Sequence, residues 1–124
     1  KMKKLTFLCL LILSAGLSAK EWYEEKGTLH KATMKDWCQA DVKNKLATAG
    51  DFVAVGYQDK MLKTEITQAI DSYGMSGLKV MAEQIIESLD TAACNGKKVD
   101  PDLATIEVAD MAMMSMMIMG WTKE

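Results

Sequence analysis

Arginine is absent from the 124 residues; all fifteen basic side chains are lysine. The planar fork that usually reads phosphate and carboxylate bidentately is therefore missing, although an A- and T-rich genome would leave the same bias. Histidine occurs once, as His30. Acid–base or nucleophilic catalysis would need that ring beside a carboxylate or a nucleophile, and the local sequence does not place one there. No zinc-ligand spacing, phosphate-binding loop or nucleophile elbow occurs. Asp100 and Asp102 read as helix capping, and Asp36 and Asp41 as a solvated face. Sustained strand alternation is also lacking, with residues 52–57 the one short β-compatible piece. These absences argue against an enzyme and against a resident cofactor.

What is present begins with targeting. Lys1, Lys3 and Lys4 form a basic zone, Leu5 to Leu13 an apolar zone broken by Thr6, and Ser14 to Ala19 a small-residue zone. That order is a secretory signal peptide over residues 1–19 with cleavage near Ala19, too short to span a bilayer, which takes about 20 residues. A buried N-terminal helix would not need the three zones in sequence. The expected product is periplasmic or secreted, without an integral membrane segment after cleavage. It keeps 12 lysines against 17 acids, a net charge of −5. That balance argues against nucleic acid and anionic membrane surfaces as partners. Cleavage discards Cys9 and leaves Cys38 and Cys94, which in an oxidising compartment read as one disulfide.

Residues 20–32 read as a polar and aromatic lead-in and residues 33–124 as a single helical domain. Thr33 to Asp36 resembles a capping box, and Met34, Trp37, Cys38, Val42, Leu46 and Ala49 share one helical face. Gly50-Asp51 is placed to bend or end that helix, with the helical pattern resuming to about Lys60. Leu62 to Ile70 makes a further amphipathic stretch closed at Tyr73-Gly74. Leu78, Met81, Ala82, Ile85, Leu89 and Ala92 form the cleanest stripe, with Ser76 as its cap and Cys94-Asn95-Gly96 as its exit. Asp100-Pro101 starts a last helix that Leu103 to Met119 continue. The fold class is all-α, a small bundle of four or five short helices with one disulfide, Cys38–Cys94.

Six of the eleven methionines lie between Met111 and Met119. On a helix, Leu103, Ile106, Met113, Met116, Met117 and Gly120 follow one side, and Met111, Met114, Ile118 and Trp121 another. Three readings fit so apolar a helix. It is a core helix surrounded by the others. Or Met111, Met114, Ile118 and Trp121 form a partner surface for another protein or for self-association. Or Met113, Met116 and Met117 share a soft ion, Cu(I) or Ag(I).

The stretch Gly27-Thr-Leu-His-Lys-Ala-Thr33, with Trp37, Ala40 and Asn44-Lys-Leu-Ala-Thr-Ala-Gly-Asp51, resembles a segment of small exported bacterial proteins of uncharacterised function. That resemblance implies shared positions at Leu29, His30, Trp37, Asn44 and Asp51. Trp37-Cys38 and Val55-Gly56-Tyr57 resemble the Trp-Thr-Cys and Val-Gly-Phe elements of acid-activated periplasmic chaperones of the HdeA type, which are small, helical and stapled by one disulfide. Cys94 at a helix end fits them as well. Cys38 lacks the preceding threonine, and the methionine-rich helix has no counterpart there. Immunity proteins that neutralise secreted cell-wall amidases are similar in architecture alone. The expected function is non-catalytic protein–protein contact, chaperone-like under stress, with a Cu(I)- or Ag(I)-binding protein and an amidase immunity protein as alternatives.

Overall fold

A computed structural model describes residues 20–124; the signal-peptide reading of residues 1–19 lies outside the described residues. Five helices and one small hairpin follow in order: α1 (Met34–Gln39), α2 (Val42–Gln58), α3 (Thr64–Tyr73), α4 (Met75–Ala93), β1 (Cys94–Asn95), β2 (Lys98–Val99) and α5 (Val108–Ile118). Two 3-10 turns, Trp22–Glu24 and Pro101–Leu103, flank them. The bundle is organised on α4, against which α2, α3 and α5 all pack.

The helix expected from Met34 through Ala49 is two helices. Ala40 is extended, and the Asp41 side chain accepts from the Asn44 backbone N–H at 2.8 Å, starting α2 afresh. Asp41 is thus an N-cap rather than only a solvated acid. The rotation introduced at the break throws Val42 outward to 67% exposure, while Met34, Trp37, Cys38 and Ala49 stay buried. Thr33 flanks α1 but its hydroxyl caps nothing. The first free N–H groups of α1 instead reach the carbonyls of Ile106 (2.8 Å from Met34) and Ala104 (3.2 Å from Lys35). Those tertiary bonds satisfy the orphan donors that a side chain usually takes.

Gly50 does not end α2, which runs on through it to Gln58. The Trp22 ring lies so close that a Cβ at Gly50 would sit 2.6 Å from its Cζ3, so the glycine makes room for the lead-in. Residues 52–57 are helical, not β. At the end of α2, Met61 N–H bonds the Gly56 carbonyl (2.9 Å) and Lys60 N–H the Tyr57 carbonyl (3.2 Å). This is a Schellman motif with Lys60 in the left-handed position, at φ +58°. The same motif closes α5, with Trp121 N–H on Met116, Gly120 N–H on Met117, and Gly120 at φ +76°.

Gly74 ends α3 and precedes α4 directly, so Ser76 lies inside α4 and caps nothing. The α4 stripe buries Ala82, Ile85 and Leu89, and Ala93 takes the buried place expected of the exposed Ala92. Beyond it, Cys94 pairs with Val99 and Asn95 with Lys98 across a two-residue loop, with Gly96 at φ +61°. The periodicity of so short a ladder is invisible in sequence. Cys38 and Cys94 are joined, with Cα atoms 5.5 Å apart. A loop of that length stabilises by about 4 kcal/mol in the chain-entropy account.

The last helix is shorter than expected. Asp100 accepts from Asp102 N–H at 2.9 Å and Pro101 opens a 3-10 turn, but α5 begins only at Val108. Residues between them are drawn into tertiary pairing: Thr33 bridges Glu107, and Val108 N–H bonds the Ala32 carbonyl at 2.9 Å. Leu62 and Thr122 form a second bridge at the other end of α5. No helix among the described residues is long and apolar enough to cross a membrane.

Candidate functional site

Four of the five positions in the family-like segment tie the lead-in to α2. Thr28 N–H donates to Asn44 Oδ1 (2.8 Å), and Asn44 Nδ2 donates to Thr28 Oγ1 (2.7 Å). Leu29, itself buried, donates its N–H to Thr48 Oγ1 at 3.3 Å. The His30 ring Nε2 meets Asp51 Oδ2 at 2.8 Å. Asn44, Thr48 and Asp51 are spaced four and three apart, hence on one face of α2. Gly27 lets the two backbones approach; a Cβ there would lie 2.6 Å from Thr48 Oγ1 and 2.7 Å from its backbone nitrogen. The segment is a strap zipped along a helix.

Trp37, the fifth position, serves a different cluster. Its Nε1 donates to Asp90 Oδ1 at 2.8 Å, and Lys45 Nζ donates to the same oxygen at 3.1 Å. The Lys45 ammonium also lies 5.6 Å from the Trp37 ring centroid, within cation–π range. This cluster joins α1, α2 and α4 and abuts the disulfide, with Cys94 Sγ 3.8 Å from Asp90 Oδ1.

The methionine-rich helix divides in a way neither sequence grouping anticipates. Val108, Ala112, Ser115 and Met116 face the core. Ser115, the one polar residue from Met111 to the end of α5, points inward and donates to Ser88 Oγ at 2.7 Å. Met114, Met117 and Ile118 are 52%, 60% and 79% exposed. Met111 is half-buried, and Trp121, grouped by sequence with the outer face, is 7% exposed in the core. α5 is therefore a flank helix with one face packed and one open.

Met113 and Met116 reach a further feature, a pocket of about 250 Å³ also lined by Met61, His30, Asp51 and Phe52. Met117 does not line it. The two bridges position this pocket: one holds the strap against the start of α5, the other holds the α2–α3 loop against the segment after α5. His30 and Phe52 meet edge to face, with ring centroids 5.7 Å apart. The gathering of His30, Met61 and Met113 depends on contacts far apart in sequence, which local pattern does not signal.

Compared with family models, with curated proteins and with solved structures, the chain matches none.

Proposed function

We propose that the protein is an exported, non-catalytic binding protein that acts by contact with other proteins, and that the outer face of α5 is its contact surface. The observation that carries this reading is the exposure of Met114, Met117 and Ile118 side by side on a helix whose opposite face is in the core. Methionine is flexible and polarizable, so such a face adapts to varied apolar partners. Covering three such side chains yields on the order of 5 kcal/mol at most. Association costs about 4 kcal/mol or more. The face suits transient capture better than a permanent assembly.

The partner chemistry we favour is the exposed apolar segment of an unfolding protein, under acid stress. Protonating the 17 acids leaves 12 lysines and His30 charged; self-repulsion then loosens the bundle and enlarges its apolar surface. The resemblance to acid-activated periplasmic chaperones points the same way. The test is light scattering from an acid-unfolded client at pH 2–3, with and without the protein. Suppression by the parent, lost in M114K/M117K/I118K while circular dichroism at neutral pH is unchanged, supports the reading. A parent that fails to suppress, or a triple variant as active as the parent, refutes it. A stable dimer by light-scattering chromatography, abolished by the same variant, would assign the face to self-association instead.

A further inference from the structure

We propose that the pocket between the strap, α2, the α2–α3 loop and α5 is a binding site for a soft monovalent cation, Cu(I) or Ag(I), with His30, Met61, Met113 and Met116 as its ligands. All four residues line the same pocket, although they come from three separate parts of the chain. Thioether sulfur and imidazole nitrogen select soft, d¹⁰ ions over the hard, oxygen-seeking divalent ones. Three thioethers and one imidazole supply four neutral donors.

The His30–Asp51 pair is the second, independent observation. A metal-binding histidine characteristically gives one ring nitrogen to a carboxylate, which fixes the ring and leaves the other nitrogen free. Here Nε2 holds Asp51 Oδ2 at 2.8 Å. An N–H donated from Nε2 leaves Nδ1 with its lone pair, and no hydrogen bond to Nδ1 occurs among the described residues. The Phe52 ring, edge to face with His30, limits the ring from a second side. The sulfur ligands need less preorganisation, because methionine's three rotatable bonds let the thioether swing into a pocket larger than the ion. Met116 is 3% exposed, and Met61 and Met113 are half-buried, so these donors stand apart from the open methionines of α5.

The site is independent of the contact surface proposed above: Met114 and Met117 belong to that surface and do not line this pocket. The experiment is an anaerobic titration of the purified protein with Ag(I), and with Cu(I) against a chromogenic chelator, followed by the ¹³C-methyl resonances of the methionines. Expected are one ion per chain and shifts confined to Met61, Met113 and Met116 with the His30 ring. M61L and M113L keep volume and apolarity, and each is expected to weaken binding at least about tenfold. D51N, which alters the carboxylate bonded to His30 Nε2, is expected to weaken it about 10- to 100-fold. M114L/M117L is expected to bind like the parent. Absence of one-to-one binding overturns the proposal, as do shifts at Met114 and Met117 alone, or M61L and M113L binding undiminished.

Discussion

Replacing Asp90 by alanine tests whether the cluster at the disulfide outweighs local helix preference. Asp90 stands in the last turn of α4, where a carboxylate opposes the helix dipole by about 0.3–1 kcal/mol. Aspartate is also a poorer helix former than alanine, by up to roughly 0.7 kcal/mol. Local rules alone therefore forecast that D90A stabilises by about 1 kcal/mol. The tertiary structure forecasts the opposite. Asp90 Oδ1 accepts from Trp37 Nε1 and from Lys45 Nζ, and Trp37 has no exposed surface. A buried donor left unpaired costs about 1–3 kcal/mol, and a hydrogen bond to a charged group contributes about 1.5–3 kcal/mol. The Lys45 side chain is 11% exposed but that of Asp90 is 38% exposed, so water enters the gap and screening discounts both losses. A combined loss of about 3 kcal/mol, less the local gain, leaves D90A destabilised by about 2 kcal/mol. For a domain near one hundred residues that lowers Tm by roughly 10 °C. Urea unfolding gives the free energy directly, and D90N, which keeps an acceptor for Trp37, is expected to lose less. A D90A protein as stable as the parent, or more stable, would refute the tertiary account.

Two further outcomes follow from local geometry. Lys60 occupies the left-handed position of a Schellman motif at φ +58°, which costs a non-glycine residue about 1–2 kcal/mol. Glycine's extra unfolded-state freedom offsets about 0.5–1 kcal/mol of that, so K60G is expected to stabilise by about 0.5 kcal/mol; a fall in urea midpoint would contradict the assignment. Tyr57 O–H donates to Asp71. That hydrogen bond first, then the carboxylate's charge, raise the phenol above its usual 10.0. Because the folded value is raised, the pair's contribution to stability is present below pH 10 and is lost as pH rises through the higher folded value. D71N should accordingly move part of the tyrosinate absorbance change to lower pH, and an unchanged alkaline titration would exclude the coupling.

The parts of the fold legible in sequence are those that local chemistry decides. The α4 stripe and the proline turn after Asp100 are each governed by residues within a few positions. The cysteine pairing was legible by count, not by periodicity. The misread boundaries share one cause, competition between apolar spacing and a cap. Met34, Trp37 and Cys38 fit a helix continuing into Val42, yet Asp41 three residues before Asn44 carries its own start signal and prevails. Gly50 reads as a breaker because its purpose lies elsewhere, in the Trp22 ring against it. At the far end, the start of α5 is delayed because residues 104–108 pair with the end of the strap and the start of α1.

The same distinction governs the candidate sites. The sequence resemblance points to Leu29, His30, Trp37, Asn44 and Asp51, and the zipper accounts for all but Trp37 without any ligand: Asn44 holds Thr28, Thr48 holds Leu29, and Asp51 holds His30. Only the last involves groups with chemistry left over. Asn44 is spent in reciprocal bonds with Thr28, whereas His30 has a hydrogen bond at only one ring nitrogen among the described residues and lines a pocket with three methionines. Helical spacing alone could not choose among the methionines of α5, because successive residues differ by about 100°. Met116 and Met117 are neighbours in sequence, yet one is 3% and the other 60% exposed. That rotation separates a side chain lining the His30 pocket from one facing solvent. On the two proposals above, one short helix would hold an ion on its inner edge and an apolar partner on its outer face, so a variant of either set should leave the other binding intact.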